Sequence, residues 1–277
     1  MAVEYLPGSY KLLGVGRDAK TRKGEKQGYL TGILYMAPEK KISRLVKGWL
    51  AVPETAPRWI GEYLQGVEDK VWQRANMCPL ASPGCAAACL DTAGHGGFSP
   101  SVPIGRARKT LLWLGHRGQF WALLRRDVAK LVRVAKRRGL LAQIRLNGTS
   151  DIRWERHAEF RALCADYPEV RFYDYTKYSL RMRRNLPDNY RLTYSLNEST
   201  RSWGYAQEYL AAGFPVAAVF RSVEDAKTVI SRQEWRGYPV VDGDEHDARF
   251  YDGGVITALK PKGKARTGTG GSFLQAA

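Results

Sequence analysis

Long apolar runs are missing from this sequence. The longest, such as 140–142 and 215–220, fall far short of the roughly 20 residues that a membrane-crossing helix needs. Residues 1–10 lack the charged-then-apolar pattern of a secretory signal. A secreted or integral membrane protein is therefore not expected, and the expected setting is cytoplasmic. Acidic residues are scarce too: 27 Asp+Glu stand against 44 Lys+Arg, a formal charge of +17 over 277 residues. Cysteines number only four. What is present argues for an ordinary folded chain. Hydrophobic residues make up 44%, with 8 Trp, 15 Tyr and 8 Phe, which excludes a disordered polyelectrolyte. At this length one large domain, or one domain with an appendage, buries its core without covalent staples.

The charge surplus points to a polyanionic partner, because Lys and Arg on phosphates release condensed counterions. Much of it is grouped. Eleven cations fall between Arg106 and Arg138; Arg181, Arg183 and Arg184 form a second cluster; Lys260, Lys262, Lys264 and Arg266 form a third. A nucleic acid or nucleotide is the expected partner, against the alternative of a solvated basic face.

Apolar segments recur along the chain, each followed by a helix-like stretch. Residues 28–36 read as a strand, 40–52 as a second strand or short helix, 71–77 as a further strand, and 102–138 as a long helical region. Strands at 140–146, 170–175, 190–195, 216–220 and 239–241 then end 20 to 29 residues apart, the period of consecutive βα units. The expectation is an α/β fold: a full or partial parallel (βα) barrel of about six units with a small β-rich N-terminal extension. Residues 1–70 would be the lead-in, 71–266 the barrel-like domain and 267–277 a flexible tail. The barrel is preferred over an open doubly wound sheet because polar residues gather at the strand ends, where barrels build their sites.

Three cysteines crowd together as Cys78, Cys85 and Cys89, a C-x6-C-x3-C spacing, while Cys164 lies on an amphipathic helix and reads as core. An odd trio in a cytosol-type chain argues against a disulfide. Two metal readings remain. Three thiolates would hold a four-iron cluster and leave one iron open to substrate or cofactor; alternatively His95 would complete a Cys3His zinc site. Three-cysteine clusters with an open iron suggest chemistry on S-adenosylmethionine, although the C-x3-C-x2-C spacing usual there is absent.

The cysteine loop, Arg145-Leu-Asn-Gly-Thr-Ser-Asp151, Phe172-Tyr-Asp-Tyr-Thr-Lys177 and Tyr190-Arg-Leu-Thr-Tyr-Ser195 occur in that order. Together with Gly243-Asp244-Glu-His-Asp247-Ala-Arg249 and Leu259-Lys-Pro-Lys-Gly-Lys-Ala-Arg266, they resemble the phage "gene product 88" type of protein. The resemblance covers roughly residues 70–266. It implies a phage-encoded protein of the host cytoplasm, an iron–sulfur or radical-SAM-like barrel with the cysteines as cluster ligands, and supplies no reaction.

Other polar groups complete the candidate site. Asn147 and Ser150, in the turn after a strand, would offer N–H and hydroxyl groups to a cofactor, or merely cap a helix with Asp151. Tyr175 would stack a base or pack the interior, and Ser195, Asn197 and Glu198 would hold cofactor or substrate. Asp151, Lys177, Asp242 and Asp244 are the candidate catalytic groups. A second function fits the same residues: a divalent-metal nuclease or nickase using Asp151, Asp242, Asp244 and Asp247, with the cysteines structural. A third is a non-catalytic nucleic-acid-binding accessory protein whose zinc or cluster only holds a loop.

Overall fold

The computed structural model describes residues 10–16, 19–38, 40–64, 67–94 and 99–277. Nine strands form one sheet: β1 (Leu13–Val15), β2 (Tyr29–Leu34), β3 (Leu141–Arg145), β4 (Arg171–Thr176), β5 (Tyr190–Ser195), β6 (Val216–Val219), β7 (Glu234–Trp235), β8 (Tyr238–Asp242) and β9 (Ile256–Leu259). The helices are α1 (Ala19–Lys26), α2 (Lys41–Ala51), α3 (Ile60–Leu64), α4 (Asp69–Arg74), α5 (Pro83–Ala87), α6 (Ser101–Gly115), α7 (Arg117–Arg137), α8 (Ala158–Asp166), α9 (Ser202–Ala211) and α10 (Val223–Arg232).

The order across the sheet is β1-β2-β3-β4-β5-β6-β9-β8-β7. Pairing is parallel from β2 through β6, β9 and β8, and antiparallel at the β1 and β7 edges. The expected parallel (βα) barrel is therefore not what forms. Closure requires the two end strands to pair with consistent tilt and stagger; here each end is a short antiparallel strand, and the sheet is open and mixed. At one end the chain reverses through Arg236 (φ 53°) and Gly237 (φ 79°), a turn that fits the twist of a two-residue hairpin and sends β7 back against β8.

Neighbours in sequence are neighbours in space from β2 to β6, so right-handed crossovers carry the connecting helices along one face. That face holds Leu30, Ile144, Phe172, Leu192, Val216 and Ile256, all within the main hydrophobic core. Helix α7 meets it with Phe120, Leu124, Val128, Leu131 and Ala135, a stripe at helical spacing. The alternate residues point the other way. Thr31, Gln143, Tyr173, Thr193 and Thr257 are equally buried but polar, and they are joined in part by a Gln143 Nε2 to Thr31 Oγ1 hydrogen bond of 2.9 Å.

Several local expectations shift. Residues 71–77 begin in helix α4 rather than a strand, and the long helical region is two helices meeting at His116, while of the two states open to 40–52 the helix forms, as α2. The lead-in gives β1 and β2 to the common sheet. The 267–277 stretch packs against the sheet: Phe273 and Leu274 are buried, Gln275 bridges to Phe220, and Trp235 Nε1 donates to the Ala276 carbonyl at 3.1 Å.

Candidate functional site

A cavity of about 200 Å³ opens at the carboxyl ends of the parallel strands, where open α/β sheets place ligands. All three clustered cysteines line it, with Arg145 from the end of β3, Tyr175 from β4, Lys177 just after β4, Ser195 from β5, and Lys260 and Lys262 after β9. Ala88, Val219, Leu259 and Phe273 supply an apolar wall.

The cysteine loop is held from three sides. Ser82 caps α5, its Oγ accepting from Cys85 N at 3.4 Å, with Pro83 at the first helical position, as such starts favour. Glu198 accepts from Ser82 Oγ and from Gly84 N, both at 2.6 Å. A Cβ on Gly84 would stand 2.3 Å from the Gly270 carbonyl, so only glycine admits the C-terminal segment. Beyond Cys89, buried Asp91 is bonded to both Lys41 and Arg106, which ties the loop to α2 and α6.

None of the four cysteines forms a disulfide. Cys78 Sγ lies 3.5 Å from the Thr149 carbonyl, and Cys89 Sγ accepts from Asp91 N at 3.5 Å. Burial, reinforced by neighbouring Cys85, pushes the Cys89 thiol up to about 11, so without a metal it is protonated. Among the described residues no three of His, Cys, Asp and Glu gather tightly enough to hold a single metal ion. His95 lies outside the described residues. The three thiols lie along the lining of one cavity and are not gathered at one point.

The turn after β3 faces inward on itself. Asn147 Oδ1 accepts from Ser150 Oγ (2.9 Å), Ile152 N (3.0 Å) and Trp154 Nε1 (3.0 Å), while Thr149 Oγ1 donates to the Met36 carbonyl at 2.6 Å. Gly148 N and Asp151 N go to the Leu34 and Met77 carbonyls. Asn147 and Ser150 thus shape the wall, with those polar groups engaged internally. Asp151 Oδ2 accepts from Lys177 N at 2.8 Å, and its Oδ1 lies 3.6 Å from Arg183. Burial raises the Asp151 carboxyl above its usual range. Arg183, itself 1% exposed, also holds Glu155 at 2.8 Å.

Tyr175 and Tyr173 share one face and Asp174 the other, as alternation predicts. The Tyr175 ring is covered by Arg145, 4.5 Å from its centroid, and Tyr173 Oη donates to Asp247 at 2.5 Å. Lys177 Nζ donates to Ser195 Oγ at 2.9 Å and lies 5.3 Å from the Phe273 ring.

The acidic residues are dispersed. Asp242 pairs with Lys260 at 3.1 Å and Asp244 with Lys262 at 2.7 Å; the lysines, not the carboxylates, line the cavity. Asp247 belongs to Tyr173 and Arg145, 3.7 Å from the latter. His246 Nδ1 faces Ala248 N and Arg249. Asn197 Oδ1 accepts from Ser199 N within its own turn, and Glu198 holds the cysteine loop. Sequence reasoning missed Arg145, Phe273, Asp91 and the cavity-facing role of Lys260 and Lys262. The only advance signal was strand parity for Arg145 and the basic cluster for the lysines.

An open α/β sheet with a thiol- and cation-lined cavity at its strand ends defines the class. The sequence matches the family described as Gene product 88 from residue 14 to residue 272. The chain belongs to that phage family. No curated protein and no solved structure matches it.

Proposed function

We propose that the cavity is the working site of an iron–sulfur protein that acts on a nucleotide or nucleic acid in the host cytoplasm, with Cys78, Cys85 and Cys89 as cluster ligands. The observation that carries this reading is the convergence of all three thiols of the C-x6-C-x3-C loop on one cavity that also presents Arg145, Lys177, Lys260 and Lys262. Cys78, Cys85 and Cys89 would leave one iron for an exogenous ligand, S-adenosylmethionine being the cofactor this reading expects, and the bound cluster would supply one-electron chemistry.

The chain's own groups have separable tasks. Glu198 and Asp91 fix the loop, so the thiols are held before any ligand arrives. Lys177 and the lysines beyond β9 attract an anionic ligand. Asp151, bonded to Lys177 N, sets the direction from which that side chain enters. Phe273, Leu259 and Val219 keep bulk water from one wall, which strengthens every charge interaction inside.

Anaerobic purification tests the reading, with an absorption spectrum and iron, sulfide and zinc analysis on wild type and Cys85→Ala. A brown protein with about four irons per chain, lost in the variant, supports it. A colourless protein carrying one zinc overturns it.

A further inference from the structure

We infer that the part of the cavity lined by Lys177, Lys260 and Lys262 is a binding site for the phosphate groups of a small nucleotide-type ligand, and that Asp242 and Asp244 are positioning residues for the two later lysines. The inference deepens the reading of the cavity as the working site and does not depend on the cluster.

Lys260 and Lys262 line the cavity, and each is gripped from behind. Asp242 Oδ2 holds Lys260 Nζ at 3.1 Å, Asp244 Oδ1 holds Lys262 Nζ at 2.7 Å, and Asp244 Oδ2 also accepts from Lys260 N at 2.9 Å. The carboxylates are fixed in turn: Asp244 N donates to Asp242 Oδ1 at 2.7 Å. A Cβ on Gly243 between them would stand 2.5 Å from Thr257 Cγ2, so the turn lies flat on β9. A lysine ammonium has three N–H donors, and one ion pair leaves donors for a ligand. Lys177 adds a third ammonium. It has no carboxylate ion pair among the described residues, and its partner is neutral Ser195.

Three ammoniums lining one cavity suit a phosphate, which brings up to two charges and three strong acceptor oxygens, better than a single carboxylate. A small ligand is favoured over a polymer by where the remaining surplus lies. Lys130, Arg133, Lys136 and Arg137 on α7 have no carboxylate partner among the described residues. Their helix leads directly into the start of β3, whereas the cavity lies beyond its end. A polyanion steered to those cations would sit at the wrong end of the sheet for its backbone to enter.

The test is titration calorimetry of the full chain with pyrophosphate and with ADP. Binding of both is expected, weakened at least about tenfold by Lys177→Ala or Lys262→Ala and unchanged by Arg133→Ala with Lys136→Ala. Asp244→Asn removes a negative charge from behind the site, so a purely electrostatic wall would bind pyrophosphate more tightly. A positioned lysine predicts at least about threefold weaker binding, and tighter binding overturns the positioning role. Neither probe binding, equal binding by the lysine variants, citrate binding as tightly as pyrophosphate, or lysine-dependent binding of a single-stranded oligonucleotide alone each overturns the proposal. Iron is measured in the same samples. Iron without lysine-dependent binding overturns this inference and leaves the cluster; lysine-dependent binding in iron-free protein does the reverse.

Discussion

Replacing Asp174 by Asn removes a titratable group from the middle of the sheet without removing its shape. The Asp174 carboxyl accepts from Asn147 N at 2.5 Å and from Tyr190 Oη at 2.9 Å, yet it is 0% exposed, and burial lifts it from 3.8 to about 7. Between those values the folded chain keeps a proton that the unfolded chain has lost. The group's contribution to stability is therefore complete below about pH 4 and declines as the pH rises through 7. At about 1.4 kcal/mol per unit, a span of roughly three units is worth up to about 4 kcal/mol. Asn keeps an acceptor for Asn147 N, offers an N–H to Tyr190 Oη and does not titrate. In urea unfolding followed by tryptophan fluorescence, the variant should gain on wild type by about 2–4 kcal/mol between pH 4 and pH 8. Parallel stability curves over that range would refute the reasoning, because they would mean that the buried carboxyl costs nothing to ionise.

Three further outcomes follow from the same contacts. Arg183→Met leaves Glu155 buried without its partner and should cost about 3–5 kcal/mol of unfolding free energy in urea titrations. Glu198→Ala removes the acceptor for Ser82 Oγ and Gly84 N, about 1–3 kcal/mol of local order; iron per chain should fall while the far-ultraviolet circular dichroism stays unchanged. Gly84→Ala drives a methyl onto the Gly270 carbonyl and should cost about 1–3 kcal/mol, with trypsin cutting after Lys264 or Arg266 several times faster than in wild type.

Local pattern sufficed where a segment's own residues decide its state. The apolar runs at β2 to β6 and β8 could be placed without a structure. The strand expected to end at Cys78 instead begins in α4, yet Cys78 lines the same cavity as Asp151, Lys177 and Ser195. β9 (Ile256–Leu259) escaped although it is as long as β6. The openness of the sheet was out of reach, since it is decided by two edge strands of three and two residues whose antiparallel pairing is a tertiary fact. Glu198 and Asp242 show the same limit at single residues. A carboxylate beside a strand end looks like chemistry, and only the fold shows that one bonds the cysteine loop and the other a lysine. Asp91 was overlooked for the converse reason: its partners Lys41 and Arg106 come from separate helices.

The packing of Phe273, Leu274 and Gln275 against β6 and the cysteine loop has a consequence for synthesis. The loop leaves the ribosome early, and every strand that frames the cavity follows before the segment that walls it. Until that segment has emerged, the trough that the three thiols line lacks one of its walls. Only when Gly270 settles on Gly84 and Phe273 turns toward Lys177 does the trough become a chamber. Enclosure of the cavity is thereby placed last by the direction of translation, and a bulky fusion after Ala277 would act on that event alone.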